Sequence, residues 1–272
     1  MEPASLSRLG VWKGGDWQSA NDDMVARALS SGYAGLDAEL PGGGWPVGGM
    51  SEILLPGSSH PEWSLVAGAL ARVLLERGVQ QHAVLVAPPF QAFVPFAEVV
   101  GVDARQLCCV HPERSSLEMM KKKGPQFADA SSVWVSEQAL RCRDVCAVLV
   151  WLPHAQSQAL RRLQLLAAQQ RQLLWVFRPE QARLQSSPAP LRLWVSAQEK
   201  TLQVQVIKRR GPPLVAPVEL PLLHGRLMAE LAAQVQRKER AHADATAMLS
   251  ALRQPKKEAS HALDGMAFAS RR

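Results

Sequence analysis

The sequence predicts an α/β fold: a mainly parallel sheet flanked by helices, with an antiparallel hairpin at one edge. Three observations carry that prediction. The short, wholly apolar runs Ala83–Ala87, Val145–Trp151 and Leu173–Phe177 have the composition of strands buried on both faces. Longer segments with apolar residues at helical spacing lie between them. Two runs of period two, Leu191–Val195 and Leu202–Val206, close the series as a half-exposed antiparallel pair. Strand–helix repetition followed by a hairpin is the pattern of a sheet covered by helices on its faces.

The elements follow in order. Residues 1–30 read as a weakly structured arm, with Trp12 and Trp17 flanking a Gly-Gly pair. Residues 31–49 form a turn-rich entry in which Gly42, Gly43 and Gly44 can adopt positive φ and Pro46 fixes the next turn. Met50–Leu55 reads as a strand and Pro56–Ser59 as a turn. Trp63, Val66, Ala67, Leu70, Val73 and Leu74 mark a helix over Glu62–Arg77. Pro88-Pro89 ends the strand Ala83–Ala87. A helix near Phe93–Val100 and a strand at Leu107–Val110 follow. Residues 115–130, carrying Lys121-Lys122-Lys123, read as an exposed loop. Helices over Ser132–Arg141 and Ala155–Gln170 bracket the strand Val145–Trp151. Residues 31–223 are thus one domain. The remainder, 224–272, is a basic tail with an amphipathic stretch at Arg226–Lys238. Its segment 226–272 has nine Lys/Arg and five Asp/Glu, over half of the net charge of +7.

Composition excludes several classes. Hydrophobic residues at 47% and charged residues at 20% exclude wholesale disorder. Eighteen Gly, 19 Pro and 4 Cys exclude collagen-like and disulfide-dense scaffolds. No run of about 18 apolar residues is present, so no spanning helix and no membrane partner are expected. The N-terminal residues lack the apolar segment of a secretory signal, so a cytoplasmic location with reduced thiols is the expectation. A pI near 9.6 suits an acidic partner such as nucleic acid, although such basicity is common among soluble proteins.

The most specific signal is the entry segment. Ser31-Gly32-Tyr33-Ala34-Gly35-Leu36-Asp37, then Leu40-Pro41-Gly42-Gly43-Gly44-Trp45-Pro46-Val47-Gly48, then Glu52-Ile53, resembles the lead-in to the phosphate loop of RecA-type recombinases. The segment Val206-Ile207-Lys208-Arg209-Arg210-Gly211-Pro212-Pro213 resembles the basic segment by which a RecA subunit touches its neighbour's nucleotide. The likeness covers roughly residues 29–215. Within that superfamily the chain most resembles the ImuA family, diverged RecA relatives that also resemble the division inhibitor SulA. The features are LPGGGWPVGG, Val86–Pro89, Val148–Pro153, Leu160–Leu165 and VIKRRGPP. The resemblance implies a RecA-like core and a role in SOS-induced mutagenesis. Its implied partners are an ImuB-like inactive Y-family polymerase relative, a second DnaE-type polymerase through that complex, and RecA.

The chemistry of the recombinase class is missing from the residues. A working phosphate loop needs wrapping glycines, a Lys for the β/γ-phosphates and a Ser/Thr for Mg²⁺. The corresponding stretch is Leu55-Pro56-Gly57-Ser58-Ser59-His60-Pro61-Glu62, with Pro61 at the Lys position and Glu62 at the Ser/Thr position. A carboxylate there repels polyphosphate, and Pro61 removes a backbone donor. Trp151 and Leu152 stand where a metal-holding Asp should follow Val148–Val150. Pro88-Pro89 stands where an acid should orient water. All three parts of the phosphoryl-transfer apparatus are lost, so no catalytic residue, cofactor or ATP hydrolysis is expected. Gly57, Ser58 and Ser59 remain as a degenerate phosphate loop. Lys208, Arg209 and Arg210 are candidates for a phosphate or partner contact, against the plain reading of a solvated strand end.

Other clusters carry less. Cys142-x3-Cys146 and Cys108-Cys109 lack the second pair of a zinc motif, and Cys146 reads as core. His60 lacks a triad's partners. Lys121–Lys123 alone supply too few phosphate contacts for more than weak DNA binding, and a solvated loop is their commoner meaning. Trp12, Trp17 and Trp45 are either buried anchors or interface residues. The expectation is therefore a non-catalytic accessory factor in translesion DNA synthesis. The alternatives are a SulA-like inhibitor binding FtsZ and, less favoured, a RecA-type ATPase.

Overall fold

The computed structural model describes residues 28–57, 61–90, 94–112, 129–198, 201–214 and 216–222. The N-terminal arm with Trp12 and Trp17, Ser58–His60, Lys121–Lys123 and the tail helix expected at Arg226–Lys238 lie outside the described residues. The chain divides into two units, Met1–Met228 and Ala229–Arg272, and every described residue belongs to the first.

In chain order the elements are β1 (Ala28–Leu29), α1 (Ala34–Asp37), β2 (Trp45–Pro46), β3 (Met50–Leu55), α2 (Glu62–Arg77), β4 (His82–Val86), α3 (Val94–Val99), β5 (Leu107–Val110), α4 (Ala130–Arg141), β6 (Val145–Trp151), α5 (Ser157–Gln170), β7 (Leu173–Pro179), β8 (Leu191–Ala197), β9 (Thr201–Lys208) and β10 (Val218–Pro221). Short 3₁₀ turns occupy Ala104–Gln106 and Glu180–Leu184. The main sheet has eight strands in the order β10-β9-β8-β3-β7-β6-β4-β5, and β1 and β2 pair as a separate antiparallel ribbon. β8, β3, β7, β6, β4 and β5 are mutually parallel, while β8–β9 and β9–β10 are antiparallel. The expected α/β class and the antiparallel edge are both present. One detail differs: β10 lies outside the hairpin and pairs with β9, and β8 is buried over Leu191–Leu193, where Arg192 pairs with Glu52 of β3.

Alternation along the strands divides the core into two layers. Ile53, Leu55, Leu85, Leu149 and Phe177 face one side with Leu65, Val66 and Leu70 of α2. Met50, Val86, Val148, Val150, Leu174 and Val176 face the other with Leu140 of α4 and Leu160 and Leu163 of α5. Helices cover both faces, which is why β6 is apolar along its whole length and even the polar residues Ser51 and Glu52 of β3 and Arg178 of β7 are buried.

The entry segment is built by local bonds. Asp37 accepts from Ser30 Oγ at 2.6 Å and from the Ser31 N–H at 2.8 Å, closing the turn ahead of α1. A Cβ on Gly44 would lie 2.2 Å from the Leu29 carbonyl oxygen, so β1 can reach β2 only past a glycine. Trp45 is completely buried, its ring edge-to-face with Trp175 at 5.8 Å. Of the two readings of Trp45, the structure selects the buried anchor.

Candidate functional site: the strand-end crevice

The sheet places its switch point at β3. The chain leaves β3 through α2 on one face, while the neighbouring strand β7 leaves through the Glu180–Leu184 turn on the other face. In open α/β sheets ligands bind outside the carboxyl ends of strands at such a point. At this end of the sheet lie the end of β3 with Pro56 and Gly57, the head of α2, the end of β6, and residues 87–90 after β4.

Gly57 sits exposed in the turn after β3, and Ser58 and Ser59 lie outside the described residues. Pro61 is the residue that caps α2, and no side chain caps the helix. Glu62, the first helical residue, is only 2% exposed. Its Oε1 accepts from Trp151 Nε1 at 3.2 Å. Trp151 ends β6 and stacks on Phe177 with centroids 4.7 Å apart. A carboxylate at a helix N-terminus is favoured by the aligned peptide dipoles, and an indole N–H is a donor that suits it.

Beyond β4 the backbone turns sharply. Ala87 has φ of 52°, its N–H donates to the Val110 carbonyl at 2.8 Å, and Pro88 is buried behind it. No carboxylate follows β4 within Ala87–Pro89.

The loop Leu152–Ala155 after β6 is held from two sides. Arg178 on β7 donates to the carbonyls of Leu152 at 3.2 Å and Ala155 at 2.9 Å. Asp129, just ahead of α4, accepts from the His154 N–H at 2.7 Å. Burial raises the Asp129 carboxyl above its usual range, opposed by bonds from the His154 and Ala155 backbone and by the nearby cations. Beneath this loop lies a buried ion triad spanning three strands. Glu52 on β3 accepts from Arg178 at 2.9 Å and from Arg192 on β8 at 2.6 Å. Arg178 also donates to Gln185 Oε1, and Arg192 to the Ala182 carbonyl, so the guanidinium donors are spread over side chains and backbone.

Lys208 and Arg209 are turned to different acceptors. Lys208 Nζ donates to the Ser187 carbonyl at 3.0 Å. Arg209 is turned onto the end of α1, donating to the Glu39 carbonyl and pairing with its carboxylate at 3.1 Å, and its Nε donates to the Pro212 carbonyl. Arg210 is exposed. Among the described residues no three His, Cys, Asp or Glu side chains gather as a metal set. Cys146 is buried, and burial pushes its thiol up to about 11.

Sequence reasoning missed Arg178, Arg192 and Asp129. A signal for the first two was present: a charged residue inside an apolar strand must find a partner, and Glu52, Arg178 and Arg192 are the charged residues of three such strands. Nothing local marked Asp129, whose partners come from the far end of β6.

A comparison with known protein families finds no match, and one with curated proteins finds none either.

Proposed function

We propose that the chain is a non-catalytic accessory factor of SOS-induced translesion DNA synthesis, a RecA-like domain whose nucleotide site has been rebuilt as packing. The observation that carries the reading is the Glu62–Trp151 hydrogen bond. In P-loop enzymes a hydroxyl at the helix head and an acid at a strand end share one Mg²⁺. The resemblance aligns Glu62 with the first and Trp151 with the second. The two replacements are bonded to each other, so the place of an ion is taken by a carboxylate–indole pair. Pro61 removes the lysine and a backbone donor from the same turn. The position of β3 and α2 at the switch point of the sheet supports the alignment, because that is where a phosphate loop belongs.

The partners follow from the motif resemblance: an ImuB-like polymerase relative, through it a DnaE-type polymerase, and RecA. Affinity purification of the tagged chain from cells treated with a DNA-damaging agent tests this. Recovery of a Y-family polymerase relative, a second DnaE-type polymerase or RecA supports the reading. Recovery of FtsZ with none of these overturns it in favour of a division inhibitor. Steady ATP turnover by the purified chain, abolished by substitution at Glu62, overturns the non-catalytic part.

A further inference from the structure

The outer face of α4 and α5 carries two exposed large apolar side chains, one on each helix. Trp134 on α4 is 62% exposed and Leu165 on α5 is 59% exposed. Both helices run from the carboxyl to the amino ends of the strands, α4 leading into β6 and α5 returning to β7, so they lie parallel. Glu137 and Arg162 bridge them at 2.9 Å. Trp134 lies one turn before Glu137 and Leu165 one turn after Arg162, so the two apolar side chains flank the bridge. Arg141 continues the stripe of Trp134 and Glu137, and Arg161 lies one turn before Leu165. Both arginines are exposed, and α5 has no carboxylate anywhere along its length.

We infer that this two-helix face docks an acidic amphipathic helix of a partner protein. Apolar side chains of that helix seat on Trp134 and Leu165, and its carboxylates meet Arg141 and Arg161. Exposed Trp and Arg are the side chains that most often anchor protein interfaces, and an amphipathic helix lays an apolar stripe of the same spacing against such a face. The charge decides the sign of the occupant. Arg162 is paired with Glu137, which leaves Arg141 and Arg161 exposed on either side of the bridge. Two cations are too few for nucleic acid, whose affinity rests on many phosphate contacts. Among the described residues no helix presents more than one exposed carboxylate, so a described helix of a second copy is a poor match as well. This face is distinct from the strand-end crevice, and the inference does not rest on the reading of that crevice.

The test uses the full chain and NMR of its indole N–H groups, with the Trp134 signal assigned by its loss in Trp134→Phe. The probe is a synthetic helical peptide of roughly 16 residues with Leu at i, i+3, i+4 and i+7 and Glu on the flanks. A peptide with Lys in place of Glu and an oligothymidylate are run beside it. The acidic peptide is expected to shift the Trp134 signal saturably, while the basic peptide and the oligonucleotide leave it in place. Arg141→Glu with Arg161→Glu should weaken the acidic peptide about tenfold or more, with the other indole signals unmoved. An unmoved Trp134 signal, equal binding of the basic peptide, a shift with the oligonucleotide, or a shift on concentrating the chain alone would each overturn the proposal.

Discussion

Glu62 at the head of α2 accepts the indole N–H of Trp151 at the end of β6, 3.2 Å away. The bond ties the helix that follows β3 to β6, a strand separated from β3 by β7. Trp151→Phe keeps the ring stacked on Phe177 and removes only the donor. The expected cost is about 1–3 kcal/mol, because a buried carboxylate oxygen loses a partner. Urea unfolding midpoints measure it, and an unchanged midpoint would show that the bond contributes nothing.

On the proposed reading, restoring two positions of a phosphate loop is expected not to bring ATP turnover. Pro61→Lys with Glu62→Thr restores the residue types of a phosphate loop, yet Trp151 and Pro88-Pro89 still withhold the acids. ATP turnover by the double variant should stay at the level of a protein-free control. Turnover clearly above that control would show that the remaining site is more complete than the residues suggest.

Glu52 is the hinge of a buried triad with two cations. Glu52→Gln leaves Arg178 and Arg192 buried together without an anion. Removing one partner of a buried ion pair costs about 3–5 kcal/mol. Chemical denaturation of the variant should show a loss of that order, against a far smaller loss for the exposed pair variant Asp103→Asn.

Trp45 separates volume from hydrogen bonding. Its indole nitrogen is buried and has no hydrogen-bond partner among the described residues. Trp45→Phe therefore gives up no bond and should cost little, while Trp45→Ala empties the space against Trp175 and should cost about 3–5 kcal/mol. Equal losses in thermal unfolding would assign the cost to something other than packing.

Asp129 gives the fold a pH dependence with a definite sign. Burial raises its carboxyl in the native state above the ordinary value of 3.8. Over the interval between the two values the native state binds more protons than the unfolded state, so this group's contribution to stability falls as pH rises. Asp129→Asn cannot ionise, and the stability difference between wild type and variant should shift against the wild type as pH rises through that interval. Urea midpoints across mild acid check it, and a constant difference would remove Asp129 from the pH response.

Much of the fold was legible because the strands are apolar on both sides. Met50–Leu55, Glu62–Arg77, Leu107–Val110 and Val145–Trp151 have in the structure the bounds that pattern alone suggests. β10 was not legible: Val218–Pro221 contains a proline and too few residues to show a period, and its place is fixed by β9 rather than by its own sequence. At the head of α2 and the end of β6, Pro61, Glu62 and Trp151 could be singled out from the sequence, because the resemblance sets other residue types against them. Their bonding to each other could not, because it joins residues 89 apart. The inward turn of Arg209 was hidden for the same reason, its acceptor Glu39 being 170 residues away.

The position of β3 bears on how the chain comes off the ribosome. Glu52 is made 126 residues before Arg178 and 140 before Arg192. At about 5–20 residues per second, translation leaves β3 waiting on the order of ten seconds for both of its neighbours. During that interval an apolar strand and a carboxylate destined for burial are exposed without their pairing edges. Nascent chains truncated before Leu173 should therefore be held by chaperones and cut readily by protease, and release of chains extended past Ala197 should end both.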